Sequence, residues 1–227
     1  MWIYKLERKI GWFSIPHLMF FIVVGSALVY VFDLIAALQG NNIYLSSMLY
    51  FNRYLIFQGQ IWRLVTFVFI PPAGSTLFVL LGLYFYYFVG TSLESVWGNF
   101  KFTIYYLLGI IGSILSGLIA GYSTATFLNL SLFFAFSVLY PELKVLLFFI
   151  IPVKVKWLGI IDAVFFFFSI IISLISSDWS SVLAAIMAII NLLIFLGPKL
   201  FKDIFNKIKY KRSQQEFMKK TKNSWRS

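Results

Sequence analysis

The sequence contains no cysteine and one histidine. The first absence excludes disulfides, cysteine-ligated metal centres and thiol chemistry, and the second excludes nearly every histidine-based metal site. Acidic residues are scarce too: eight Asp and Glu face nineteen Lys and Arg, for a formal net charge of +11. Charged residues of both signs make up 12% of the chain, where a soluble domain carries about 25%. What fills the space is apolar, 61% of the 227 residues, with a mean hydropathy of +0.89. A soluble core does not hide that much apolar surface, so the composition predicts a polytopic integral membrane protein. The positive balance sits mostly in one tail, where anionic lipid head groups account for it better than nucleic acid does. No cofactor, no metal and no nucleic-acid partner is expected.

A spanning helix needs about 20 predominantly apolar residues. Six candidates are found: Pro16 to Leu38, Ser75 to Val89, Phe102 to Gly121, Phe127 to Tyr140, Trp157 to Ile175 and Trp179 to Leu196. Pro141 stops the short fourth span and Gly197-Pro198 the sixth. The chain therefore divides into an interfacial segment 1–15, a membrane domain 16–198 and a basic tail 199–227. In the first, Lys5, Arg8 and Lys9 alternate with Trp2, Ile3, Tyr4, Leu6, Trp12 and Phe13, the pattern of an amphipathic segment on a membrane surface rather than a cleaved signal peptide. The tail carries Leu200, Ile204, Phe205 and Ile208 at helical spacing among ten basic residues, which predicts a helix on anionic lipid followed by a disordered end.

Six spans with both ends in the cytoplasm satisfy the positive-inside rule. Seventeen of the nineteen basic residues then lie inside, and only Arg53 and Arg63 lie outside. The segment 39–74 falls in the outer interface, rich in aromatics such as Tyr44, Tyr50, Phe51, Tyr54, Phe57 and Trp62. The apolar stretch Val145 to Pro152 is too short to span and is expected in the inner interface.

Two motifs stand out. The first is Trp62-Arg63-Leu64-Val65-Thr66; the second is Gly90-Thr91-Ser92-Leu93-Glu94-Ser95-Val96-Trp97-Gly98. A Trp-Arg-x-x-Thr loop followed by a span ending in Gly-x-x-Leu-Glu-x-x-Trp-Gly resembles the rhomboid superfamily, which contains intramembrane serine proteases and inactive members such as the derlins. The resemblance covers about residues 50–200 and implies an all-α six-helix rhomboid-like bundle. It implies that Trp62, Arg63, Gly90, Leu93, Glu94, Trp97 and Gly98 are structural, with Arg63 bracing the long loop. The third span adds a ridge of Gly109, Ser113, Gly117 and Gly121, and the sixth a face with Ala184, Ala185 and Ala188. Such ridges let helices approach closely in lipid. Ser113 and Ser116 are read as packing residues.

The same resemblance exposes a gap. A rhomboid protease needs a serine within Gly-x-Ser-Gly at the outer start of span four and a histidine in span six that takes its proton. Here the corresponding stretch is Gly121-Tyr122-Ser123-Thr124-Ala125-Thr126-Phe127, and span six has no histidine. The sole histidine, His17, stands at the opposite end of span one, roughly 30 Å away. Thr124 and Thr126 mark the degenerate nucleophile region, and Ser131 and Ser137 lie deeper in span four. The resemblance therefore implies a pseudoprotease that binds or chaperones transmembrane client proteins, by default in a prokaryotic plasma membrane. Three other readings stay open: a divergent intramembrane protease using Thr126, Ser123 or Ser131, a small-solute or lipid transporter, and a membrane anchor acting through the basic tail. Three intramembrane polar residues wait for a role: Asp33, Asn191, and Asp162, which is within reach of Lys154 or Lys156 if it snorkels.

Overall fold

In the computed structural model the chain is mostly helical. The structure describes residues 7–9, 11–40, 43–147, 151–179 and 181–197. It divides into two compact units, 1–191 and 192–227. The second is described only over 192–197, which are helical. Most of the amphipathic segment 1–15 and all of the tail 199–227, the two regions expected on the membrane surface, lie outside the described residues; Gly11–Phe13 forms a single 3-10 turn.

The elements in order are α1 (Leu18–Leu38), α2 (Leu45–Leu49), β1 (Phe51–Asn52), α3 (Arg53–Phe57), α4 (Arg63–Thr66), a 3-10 turn (Phe67–Phe69), α5 (Thr76–Trp97), α6 (Asn99–Ala120), β2 (Tyr122–Ser123), α7 (Thr126–Leu139), β3 (Lys144–Leu147), β4 (Ile151–Lys154), α8 (Val155–Ile175) and α9 (Ser181–Gly197). Among the described residues, α1, α5, α6 and α8 are long and apolar enough to cross a membrane, while α7 and α9 are apolar but shorter. At 14 residues, α7 rises about 21 Å, short of a hydrocarbon core of about 30 Å. Large apolar side chains such as Phe165, Phe167, Phe168 and Ile172 of α8 remain exposed, as lipid-facing positions must.

α6 is the central helix: half of its most apolar window is buried, against 17 to 28% for the other three long helices. Its small residues explain why. A Cβ on Gly109 would strike Leu128 of α7, one on Gly112 would come 2.8 Å from Met187 of α9, and one on Gly117 would come 2.5 Å from the Phe51 ring. Three different elements thus use missing side chains to reach the α6 backbone. Ser113 and Ser116 are buried, and Ser116 donates to the Ser113 carbonyl within the helix. Gly121 does a different job from the packing expected of it. It ends α6 in the left-handed region (φ 104°), and a Cβ there would meet nothing within 4 Å.

Several expectations need correction. The second span was bounded at Val89, yet α5 continues to Trp97. The hydroxyls that make 90–97 look polar are consumed inside the helix: Thr91 Oγ1 donates to the Tyr87 carbonyl and Ser92 Oγ to that of Phe88, both at 2.7 Å. Within the segment 39–74, residues 45–69 form short helices with one strand. The bundle is not purely α. β1 pairs antiparallel with β2, Phe51 opposite Ser123, and β3 pairs with β4, Lys144 opposite Lys154. The apolar stretch 145–152 is therefore a β-hairpin, with positions 148–150 outside the described residues. Lys154 and Lys156 do not serve Asp162; both bind the Glu142 carboxylate, at 2.7 and 3.0 Å.

Candidate functional site

The Trp62-Arg63-x-x-Thr66 motif is the polar centre of one end of the molecule. Arg63 opens α4 and is buried. Its Nη1 donates to the carbonyls of Ser47 (3.1 Å) and Tyr50 (2.9 Å), and its Nε donates to Gln60 Oε1 at 2.7 Å. The guanidinium carbon lies 4.9 Å from the centroid of the Tyr50 ring. Thr66 Oγ1 donates to the Leu49 carbonyl and Trp62 Nε1 to that of Met48. Two side chains of one short helix and its N-cap residue Trp62 therefore close the unsatisfied carbonyls at the C-terminal end of α2. This is bracing; a guanidinium snorkelling to lipid phosphate would be exposed.

Sequence reasoning did not single out Gln60 or Arg53. Arg53 Nη1 caps the end of α6 through the carbonyls of Leu118 and Ile119, at 3.0 and 2.9 Å. The available signal was that Arg53 and Arg63 are the two basic residues in the otherwise uncharged, aromatic-rich segment 39–74. Asp33 Oδ1 accepts from the Ser46 N–H at 3.2 Å, at the start of α2, which places it in the same bracing. Beside this region Tyr122 hydrogen-bonds Asp178, which follows α8, and that carboxylate pushes the phenol above its usual 10.0.

The second motif holds the opposite end. Glu94 Oε1 accepts from the His17 N–H at 2.7 Å, at the start of α1. Leu93 is fully buried, and Trp97 lies against Tyr105 with ring centroids 5.2 Å apart. Gly90 permits the approach of Met19, whose side chain a Cβ would strike. Gly98, at φ 79°, joins α5 to α6 in a single residue.

The degenerate nucleophile region lies at the Arg63 end, where β2 pairs with β1 just before the start of α7. Thr126 is its first residue, exposed, and Thr124 Oγ1 donates to Thr126 Oγ1 at 3.2 Å. Ser123 is buried, and its hydroxyl has no hydrogen-bond partner among the described residues. Ser131 shares a 2.8 Å hydrogen bond with the Tyr105 hydroxyl and also donates to the Leu128 carbonyl. Phe127, next to Thr126, turns inward and packs on Ala184, Ala185 and Ala188 of α9, with Phe166 of α8 edge-on at 5.4 Å. The small face of α9 thus accepts a phenyl ring. One turn further, Asn191 Nδ2 donates to the Tyr105 carbonyl at 2.9 Å, and its Oδ1 has no partner among the described residues.

Among the described residues, no group of three or more His, Asp and Glu side chains is arranged to hold a metal ion. No protein-family model and no curated protein matches this chain.

Proposed function

We propose that this chain is a rhomboid-like membrane protein of six spans that binds or chaperones transmembrane segments of client proteins and does not cut them. One observation carries this reading. Phe127 and Phe166 pack with Ala184, Ala185 and Ala188 at the level where the resemblance calls for a serine and its histidine. An apolar ring cluster cannot take up a hydroxyl proton, and the nearby Thr126 hydroxyl is paired with Thr124. The braced segment 45–69 adds support, because holding such a segment in place is useful to a protein that presents a shaped surface within the bilayer. In this reading both termini are cytoplasmic, the basic tail rests on anionic lipid, and the membrane is the plasma membrane of a prokaryote.

The test is to incubate the purified protein in liposomes with a panel of transmembrane helices. Wild type is compared with Thr126→Ala, Ser123→Ala and Ser131→Ala. Uncut helices that co-purify with the protein are the expected result. Cleavage by wild type that one of these variants abolishes would replace this reading with that of a protease using an unfamiliar base. Solute uptake into the same liposomes would replace it with that of a transporter.

A further inference from the structure

α7 and α8 touch where a side chain is missing: a Cβ on Gly159 would strike Ser137. Along this seam lies a groove of about 610 Å³, within the range of ligand pockets. Val164 and Phe167 of α8 and Phe134 and Val138 of α7 give it apolar walls. Ser137 adds no free hydroxyl, since its Oγ donates to the Phe134 carbonyl at 2.8 Å. From Lys156 to Phe167 the groove follows α8 for about 16 Å. That is the depth of one leaflet's acyl chains, about half of a hydrocarbon core of about 30 Å. Val164 and Phe167 are more than half exposed, so the groove opens towards lipid.

The mouth of the groove is charged. Lys156, the second residue of α8, is the charged residue of its lining. Lys154 shares the Glu142 carboxylate with it, and Lys144 stands opposite Lys154 in the hairpin with no ion pair among the described residues. Three ammonium groups thus stand against one carboxylate, and the positive end of the α8 dipole lies at the same place. An acyl chain alone, or a zwitterionic head group, would leave this excess uncompensated. We infer that the groove between α7 and α8 is a binding site for one anionic phospholipid, with an acyl chain between the two helices and the phosphate at Lys156 and Lys154, beside Lys144. Glu142 gathers the lysines at the mouth and competes with the phosphate for them. The site stands whether or not the protein binds clients.

The experiment uses the full chain in phosphatidylcholine vesicles that contain a trace of lipid with a photo-reactive diazirine on its acyl chain. The head group of that lipid is either phosphatidylglycerol or phosphatidylcholine, and adducts are mapped by peptide mass spectrometry. Exposed Phe21 and Val24 of α1 report the background, including anionic lipid gathered by the basic tail. The expected result is about fivefold more phosphatidylglycerol than phosphatidylcholine adduct on Val138, Val164 and Phe167, relative to the same ratio on α1. Lys144→Gln combined with Lys156→Gln should abolish that preference, and Glu142→Gln, which frees the lysines, should raise it. The wild-type comparison carries the test even if the double variant fails to fold. A groove ratio equal to that on α1, or a preference unchanged in the double variant, would overturn the inference. No groove adduct with either lipid would overturn it in favour of a protein segment that covers the groove. Loss of the preference on adding inorganic phosphate would overturn it in favour of a free anion.

Discussion

The segment 45–69 and the contact of α7 with α9 are held together by opposite means. In the first, the chain leaves regular helix, so its carbonyls need donors, and Arg63, Trp62 and Thr66 supply them. In the second, both backbones are already satisfied as helices. What remains there is shape, a phenyl ring on three alanines. Within a bilayer, hydrogen bonds go where the backbone is irregular and volume complementarity goes where it is not. The two regions should therefore respond to different substitutions.

The largest effect is expected from Arg63→Ala. It strips donors from the carbonyls of Ser47 and Tyr50 and from Gln60, at a cost of about 4 kcal/mol. Arg63→Lys should recover only part, since an ammonium cannot reproduce the fork. Unfolding in bicelles, together with proteolysis of segment 39–74, measures both. Next comes Phe127→Ala, which leaves a cavity against the α9 alanines and should cost about 3 kcal/mol. Phe127→Leu should cost less than half as much, whereas no conservative swap at Arg63 should do so well. If Phe127→Leu were as damaging as Phe127→Ala, shape would not be the principle at that contact.

Gly109→Val tests the central helix. Its added methyls meet Leu128 and should cost about 2 kcal/mol by the same unfolding assay. Asn191→Leu removes the donor to the Tyr105 carbonyl and should cost about 1 kcal/mol. The smallest effect belongs to Glu142, which is fully exposed. Its hydrogen bonds to Lys154 and Lys156 lower its pKa from 4.5 to about 2. A depressed carboxylate contributes above its unfolded value and loses that contribution as pH falls towards 2. Glu142→Gln should therefore lower neutral-pH stability only slightly, because the pair is exposed, and that difference from wild type should vanish as pH falls from about 4.5 to about 2, leaving a flatter acid limb.

How far each feature could be read from the sequence follows from how local its cause is. The long helices α1, α6 and α8 lie close to their predicted bounds because an apolar run is a property of neighbouring residues. The end of α5 was read too early, since Thr91, Ser92 and Ser95 look polar until their hydroxyls are seen bonded inside the helix. The motif around Arg63 was visible, but its partners were not: Ser47 lies sixteen residues away, and no periodicity announces that pairing. The β3–β4 hairpin was hidden because a short apolar run reads equally well as interfacial coil, and strand pairing depends on register.

By itself the sequence determined the composition class, the apolar helices, the absence of thiol chemistry and the lack of a histidine in the last helix. Those are counts and local patterns. Only the tertiary structure decided that Arg63 is buried on carbonyls, that Phe127 turns into the α9 alanines, that Gly121 ends a helix instead of packing one, and that Lys154 and Lys156 choose Glu142 over Asp162. Each of these depends on which distant atoms lie within about 3 to 4 Å of one another. That is set by the way helices and short segments meet, after the chain has chosen its helices.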